Sequence, residues 1–235
     1  MSAGGLKRPY EKAHVASDGD RHAILLDGRN AKTRAGVTLS APTPSLAEAV
    51  AEEWNAQGPK IDRPSMPLTR LLMTAIDLGP DDAGEWRRSI LTFLKSDVLC
   101  YRATEPAALV NAQNESWDPL IAWVRKEVGA DLETTAGVGF VEQPQDAVGA
   151  VETALAGVSH EELIAVRMAA EISCSAVIAL ALWREAREAN ELFDLARLDE
   201  AFQEKRWGVD AEAAARTKPM RRYFNNAALF LRLVC

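Results

Sequence analysis

The dipeptide Asp27-Gly28, between the apolar run AILL and the segment RNAKT, most limits what this chain can fold into. An Asp-Gly loop joins two antiparallel strands through a type I′ turn, because both central positions need a positive φ. A second turn signal at Ala35-Gly36 precedes the segment VTLS. We therefore predict a three-stranded meander over residues 22–40, with residues 1–20 as an irregular or edge-strand lead-in.

After residue 42 the apolar residues recur mainly at helical spacing. Thr43-Pro44 has the form of a helix start, with Thr43 as the N-cap. Further helices are expected from near Ser65 and from near Asp81. The sequence thus predicts an α+β fold, in which a small N-terminal β-containing module (hairpin or meander, residues 1–80) precedes a larger, mainly α-helical domain (residues 81–235).

The most apolar segment, Ile172–Trp183, is expected to form a central core helix in which Cys174 is a packing residue. It is too short to span a bilayer, so no stable membrane insertion is expected. The three cysteines stand far apart and form no CxxC pair, which favours reduced thiols. The N-terminus lacks the apolar core of a signal peptide.

The composition excludes some classes of partner. With 48% apolar and 26% charged residues, the 235-residue chain has the balance of a globular protein. A formal charge of −7 argues against nucleic acid as a main partner, since neutralising phosphates needs a basic surface.

Sequence motifs of catalysis are absent. The chain contains no GxGxxG, GxxxxGK[ST], GxSxG or HExxH segment, and its three histidines have no metal-ligand spacing. The motifs alone therefore predict a protein with no visible active site, no cofactor and no metal, and the family resemblance described below implies that it is not an enzyme.

The stretch DLARLDEAFQEKRWG, Asp194–Gly208, has an unusual pattern. Counted as one helix, it places Leu192, Leu195, Leu198 and Phe202 in an apolar sector about 120° wide. Asp199 and Arg206 project into that sector, whereas Trp207 lies on the polar side with Glu200, Gln203 and Glu204. Two interpretations remain open: a surface helix with one internal ion pair, or a helix that binds a partner through an exposed indole.

Four blocks of sequence together resemble a known protein family. They are LLDGRNAKT, LAEAVAEEWNAQG followed by MPLTRL, DVLCYRATEPAALV followed by WDPL, and RLDEAFQEKRWG. They are similar to the assembly chaperone of the ATP synthase catalytic head that binds the α subunit, a family of mitochondria and some bacteria. The resemblance implies a factor that keeps unassembled α subunit soluble until the β subunit replaces it.

The resemblance also suggests roles for particular residues. Arg197 to Asp199 and Glu200, Gln203 and Trp207 match the C-terminal signature of the family. Glu200, Gln203, Trp207 and Glu204 are the expected partner contacts, and Asp199 is expected to be held structurally by Arg206 or Arg197. Trp54 is assigned to packing, and Asp97, Tyr101 and Arg102 match a further family block.

The alternative function is a small-molecule enzyme or ligand-binding protein with an unfamiliar site near Asp97, Tyr101 and Arg102. For the chaperone, the expected partner is the ATP synthase α subunit, and the free protein is expected to be a monomer. The expected location is the cytoplasm of a bacterium, or the mitochondrial matrix if a transit peptide has been removed.

Overall fold

The computed structural model describes residues 7–137, 139–208 and 211–235 and confirms the α+β fold. The chain forms two compact units. Unit 1 comprises Met1–Ala83, His160–Ile164 and Leu229–Cys235, and unit 2 comprises Gly84–Ser159 and Ala165–Ala228. The division into independently folding domains at residue 80 stays a prediction.

Short strands occur in both units, and helices make up most of the described chain. The described strands are β1 (Ala13–Asp18), β2 (Arg21–Leu26), β3 (Arg29–Asn30), β4 (Ser40–Ala41), β5 (Tyr101–Arg102) and β6 (Thr135–Ala136). The described α-helices are α1 (Pro44–Asn55), α2 (Pro67–Lys95), α3 (Ala107–Val128), α4 (Gln145–Leu155), α5 (His160–Ser173), α6 (Ala176–Trp183), α7 (Ala189–Ala196), α8 (Leu198–Trp207) and α9 (Ala211–Val234). Two 3₁₀ turns, Arg63–Ser65 and Val98–Cys100, precede α2 and β5.

The sheet of unit 1 is organised around β2. Strand β1 pairs antiparallel with the whole length of β2, from Ala13↔Leu26 to Asp18↔Arg21. Strands β3 and β4 pair with the other edge of β2. Asp27 (φ 47°) and Gly28 (φ 79°) have the positive angles that a type I′ turn requires, so this prediction is confirmed. The lead-in prediction missed the extent of β1, because the apolar residues of the segment AHVASD do not alternate regularly with polar ones along the strand.

Helix α1 follows the sheet and carries buried Leu46 and Val50 on the side that packs against β1 and β2. The predicted N-cap is confirmed, since the Thr43 hydroxyl oxygen accepts a hydrogen bond from Leu46 N at 3.2 Å. Glu53, at the other end of α1, caps the next helix: its carboxylate accepts hydrogen bonds from the backbone N–H of Leu68 and of Thr69, each at 2.8 Å. One side chain of α1 thereby satisfies the first free donors of α2.

The prediction of separate helices from near Ser65 and from near Asp81 is wrong. A single 29-residue helix, α2, runs through Pro80. Proline removes one hydrogen bond of the helix interior, but the apolar stripe continues on both sides, with Leu72, Trp86 and Ile90 almost completely buried. Burial of that stripe outweighs the local cost of proline.

The predicted core helix Ile172–Trp183 is interrupted. Helix α5 ends at Ser173, Cys174 has a φ of 51°, and the Ser175 hydroxyl caps α6 by accepting from Ile178 N at 3.0 Å. Residues 176–182 are buried as expected, but Cys174 is exposed, so its assignment to packing is wrong. Among the helices described, none combines the length and the apolar character needed to cross a membrane.

Asp97 is completely buried in unit 2, where it caps two helical segments. Oδ1 accepts from Leu99 N at 3.1 Å in the 3₁₀ turn, and Oδ2 accepts from Val177 N at 3.0 Å in the first turn of α6. Burial raises the pKa of Asp97 to about 6, and the hydrogen bonds to its carboxylate oppose that shift.

We predict a pH-dependent difference between the wild type and Asp97→Asn. The folded protein holds the Asp97 proton up to about pH 6, whereas the unfolded chain releases it near the ordinary value of 3.8. The unfolding free energy of the wild type, relative to that of the variant, therefore falls as the pH rises through this window. The slope is about 1.4 kcal/mol per pH unit, which gives a total loss of about 3 kcal/mol.

Urea unfolding of both proteins at intervals between about pH 4 and pH 7 measures this difference, because the other titrating groups cancel in the subtraction. A difference that stays constant or grows with pH would show that the hydrogen bonds to Asp97 outweigh its burial.

Candidate partner-binding site

The helix that carries the predicted partner contacts begins at a break in the chain. Helices α7 and α8 are separated at Arg197, which has φ −115° and ψ 23°, so the continuous helix expected over Asp194–Gly208 is wrong. The break invalidates the helical count across it. Leu192 is fully buried as expected, but Leu198 and Phe202 are only half-buried, and α8 contains no fully buried residue.

Asp199 has a different partner from the one the sequence suggests. Its Oδ1 accepts a hydrogen bond from Nε2 of Gln113 in α3 at 2.7 Å. Arg197 pairs instead with Glu200 at 3.4 Å, and Arg206 is exposed, with its guanidinium 5.6 Å from the Trp207 ring. The ion pair of Asp199 with Arg197 or Arg206 is therefore wrong, while its position at the start of α8 gives it a structural contact.

Gln113 is fully buried and links α8 to the segment that precedes α3. Its Oε1 accepts from Ala103 N at 2.8 Å while its Nε2 donates to Asp199. The two bonds use both ends of the amide, so they fix its orientation. A carboxylate at this position would face the carboxylate of Asp199.

One turn along α3, Trp117 anchors the end of α7. Its indole Nε1 donates to the carbonyl oxygen of Leu195 at 2.9 Å, and its ring is fully buried. The Arg102 guanidinium lies 5.2 Å from the same ring. Gln113 and Trp117 together hold the two residues that flank the α7–α8 break, Leu195 and Asp199.

Arg102 is a structural connector in unit 2. Its Nε donates to Leu99 O at 2.8 Å, and its Nη2 lies 2.9 Å from Oδ1 of Asp118. The contact between Nη2 and Asp118 is an ion pair that does not meet hydrogen-bond geometry, since Nη2 has no hydrogen-bond partner among the described residues. Tyr101, half-buried, pairs with Thr135 where β5 meets β6 in parallel.

At the alternative small-molecule site near Asp97, Tyr101 and Arg102, the predicted acid and the predicted cation are both inaccessible. Asp97 has no exposed surface and Arg102 is only 8% exposed. Among the residues that the structure describes, no cluster of histidine, cysteine, aspartate and glutamate could hold a metal ion.

The outer face of α8 presents the expected partner contacts together. Glu200, Gln203 and Trp207 are spaced by three and four residues, so they share one face of the helix. All three are exposed, and Trp207 most of all, at 73%. Glu204 is half-buried beside them, and Gly208 (φ 93°) ends the helix. We call Glu200, Gln203 and Trp207 the α8 face.

Trp54 lies in unit 1, far from these residues in the sequence, and its contacts are with other side chains. Its ring packs edge-on against Tyr10 at 5.6 Å, and the Tyr10 hydroxyl donates to Trp54 O at 2.7 Å. The indole is only half-buried, and its Nε1 is shielded from solvent without a hydrogen-bond partner.

Sequence reasoning missed Gln113. A signal was available, since Leu109, Gln113, Trp117, Leu120 and Val124 follow one another at spacings of three and four and are all buried. A glutamine within an apolar stripe of this kind indicates a buried polar contact.

Comparison with known proteins identifies the family. The model of a family described as ATP12 chaperone protein matches residues 7–125. Atp12 from Paracoccus denitrificans is 33% identical, with a TM-score of 0.94 over 98% of this chain and 99% of that chain. The chain belongs to the ATP12 chaperone family. The resemblance found in the four sequence blocks is thus confirmed.

Two further solved structures support this membership of the ATP12 family. An aspartate-to-lysine mutant of P. denitrificans Atp12p is 33% identical, with a TM-score of 0.94 over 98% of both chains. A candidate chaperone from Agrobacterium tumefaciens is 36% identical, with a TM-score of 0.89 over 96% of this chain and 84% of that chain. The family model ends before α8, whereas these structural matches extend over nearly the whole chain.

We predict that Gln113→Glu is strongly destabilising and that Asp199→Asn rescues it. The first change sets two carboxylates against each other in a buried site, at a cost of at least about 2 kcal/mol in unfolding free energy. In the double variant the new amide at residue 199 donates to the new carboxylate at residue 113, so much of the loss is recovered.

Chemical unfolding of both single variants and the double variant measures this coupling. If Asp199 were held by an arginine, as the sequence suggested, Asp199→Asn would add to the damage of Gln113→Glu. Additive losses would therefore contradict the observed contact.

Proposed function

We propose that this ATP12 family member binds the unassembled α subunit of the ATP synthase catalytic head and keeps it soluble until the β subunit takes its place. Membership of a chaperone family supports the general role. The observation that carries the specific proposal is the α8 face, an exposed tryptophan beside an acidic and an amide side chain on a helix without a buried residue.

The chemistry of the α8 face suits an interface. Tryptophan is among the residues that dominate binding free energy when they enter a pocket on a partner. Trp207 has its ring in solvent, where burial against an apolar surface would be favourable. Glu200 and Gln203 supply charge and hydrogen bonds that select among apolar partners.

The contacts behind the α8 face favour a rigid presentation. Gln113 and Trp117 fix both sides of the break before α8, so little ordering of the backbone is needed when a partner binds. The Arg197–Glu200 ion pair is long, and the Glu200 side chain is 49% exposed. Little free energy is therefore lost when Glu200 leaves Arg197 and pairs with a cation on a partner.

We further propose that release depends on competition by the β subunit and that the chain acts without catalysis. A partly polar interface of moderate affinity can be displaced in this way. Incubation of the purified protein with ATP checks this point, and steady hydrolysis above the rate of a protein-free blank would contradict it.

The place of action proposed for the chain is the bacterial cytoplasm, with the mitochondrial matrix as the alternative for a processed form. The wide spacing of Cys100, Cys174 and Cys235 in the sequence agrees with a reducing compartment. We also propose that the free protein is a monomer, which light scattering during size-exclusion chromatography measures directly.

We predict that Trp207→Ala weakens capture of the α subunit, with a loss of about 2 kcal/mol or more in binding free energy. The matched control is Phe140→Ala, because Phe140 is another exposed aromatic residue of unit 2, at 75%. Titration calorimetry with purified α subunit measures both. Equal losses for the two variants would indicate a general effect of surface apolarity and would contradict a role for the α8 face.

We also predict that Glu200→Lys reduces capture while leaving the melting temperature within about 2 °C of the wild type. Within the described part of the chain, the ion pair of Glu200 is the weak one with Arg197, so its stabilising contribution is small. Glu152→Lys, on the exposed side of α4, provides the same charge change elsewhere in unit 2. A pull-down in which both variants retain the α subunit would refute the assignment of Glu200.

A further inference from the structure

An open pocket of about 660 Å³ lies within unit 1, between the strand–turn segment and α1 and α2. Its volume is within the range of about 300–1,000 Å³ that is usual for ligand sites. The lining comes from the N-terminal segment, β2, the residues after β3, the end of α1, the 3₁₀ turn Arg63–Ser65 and the first turns of α2.

The rim of this pocket is strongly basic. Of the described residues that line the pocket, none is acidic and five are cations: Lys7, Lys32, Arg34, Arg63 and Arg70. All five are exposed, and none has an ion-pair partner within 4.0 Å in the described part of the chain. The whole chain has a formal charge of −7, so this concentration of unpaired positive charge is a local feature that attracts anions.

The wall and floor of the pocket are apolar. Leu26, Ile61, Met66 and Met73 contribute aliphatic and thioether groups. Methionine side chains adapt to partners of irregular shape, which is why they are frequent at surfaces that bind peptides. The basic rim and the apolar floor together fit a ligand that has both carboxylates and apolar groups.

Trp54 contributes aromatic surface to the pocket. It lines the pocket, while its Nε1 is itself shielded from solvent, with no acceptor among the described residues. Because that nitrogen has no accessible surface, the ring and not the donor is available to a ligand.

A phosphate or nucleotide fits this pocket less well. Such ligands use the free N–H groups at the start of a helix, and the start of α2 adjoins the pocket through Thr69. The N–H groups of Leu68 and Thr69 already donate to the Glu53 carboxylate, which also places negative charge there. The basic residues are therefore better matched by carboxylates spread along an extended ligand than by one compact anion.

We propose that this pocket binds a peptide segment with alternating acidic and apolar side chains, provided by the protein that the chaperone holds. This inference rests on the proposed function for the origin of the segment. The carboxylates pair with the rim, with Arg63 and Arg70 as principal contacts, and the apolar side chains pack against Ile61, Met73 and the Trp54 ring. Unit 1 then has a client contact of its own in addition to the α8 face of unit 2.

The direct test uses a fluorescein-labelled ten-residue peptide of alternating glutamate and leucine, with two comparison peptides. One replaces glutamate with lysine and the other replaces leucine with serine. Fluorescence anisotropy with the wild-type protein is expected to show binding of the first peptide alone, with an affinity that falls as salt is added.

The test variants reverse charge on the rim. Arg63→Glu/Arg70→Glu is expected to weaken binding of the acidic, apolar peptide by at least about tenfold. Lys12→Glu/Arg29→Glu is the matched control, because both residues are exposed on unit 1 and neither lines the pocket.

The proposal would be overturned if the wild type did not bind the acidic, apolar peptide, or if the rim variant bound it equally well. Competition by ATP or inorganic phosphate at micromolar concentrations would also overturn it. If Arg63→Glu/Arg70→Glu fails to fold by circular dichroism, Lys32→Glu/Arg34→Glu provides the second rim variant on another segment.

Capture of the α subunit, measured beside the peptide assay, separates failure of this inference from failure of the proposed function. An α subunit that binds the wild type and the rim variant equally leaves the chaperone function in place and refutes a client contact at the pocket. Peptide binding with the expected pattern but no capture of the α subunit refutes the choice of client and supports the pocket.

Discussion

The position of α8 in unit 2 depends on the hydrogen bonds of one buried amide, that of Gln113. Its oxygen accepts from Ala103 N and its nitrogen donates to Asp199, so one side chain determines where the segment before α3 and the start of α8 lie. One partner of the amide is a hydrogen-bond donor and the other is an acceptor. A carboxylate cannot donate to the second partner, and an alkyl group can bond to neither. The position of α8 therefore depends on hydrogen-bond chemistry as well as on apolar burial.

This arrangement explains how α8 can leave its outer side uncovered. A helix of ten residues without a buried side chain gains little from packing. Gln113 and Trp117 compensate by holding Asp199 and the carbonyl of Leu195 on the two sides of Arg197. Trp207 can then stand in solvent at the far end of a helix that is fixed at its beginning. Such an exposed aromatic residue on a fixed helix suits a protein whose role is to cover another protein's apolar surface and later to give it up.

Local signals predicted much of the fold. The Asp27-Gly28 turn and the Thr43 cap are present as expected, because each depends only on residues within a few positions. The exposure of Glu200, Gln203 and Trp207 was also predictable, since all three follow the break at Arg197 and share one face of α8. Their role in binding stays a prediction.

The features that were missed depend on distant residues. The continuity of α2 through Pro80 reflects burial of its apolar stripe, and the partner of Asp199 lies 86 residues earlier in the chain. The basic pocket combines cations from separate segments of unit 1, so no single stretch of sequence indicates it. Only the folded chain brings these side chains together.

Hydrogen–deuterium exchange of the chain with and without purified α subunit tests the central claim most directly. A complex that uses the α8 face should slow amide exchange throughout Leu198–Trp207, because a bound partner suppresses the local opening of a helix that has no buried residue. Formation of the complex with unchanged exchange in α8 would contradict the account.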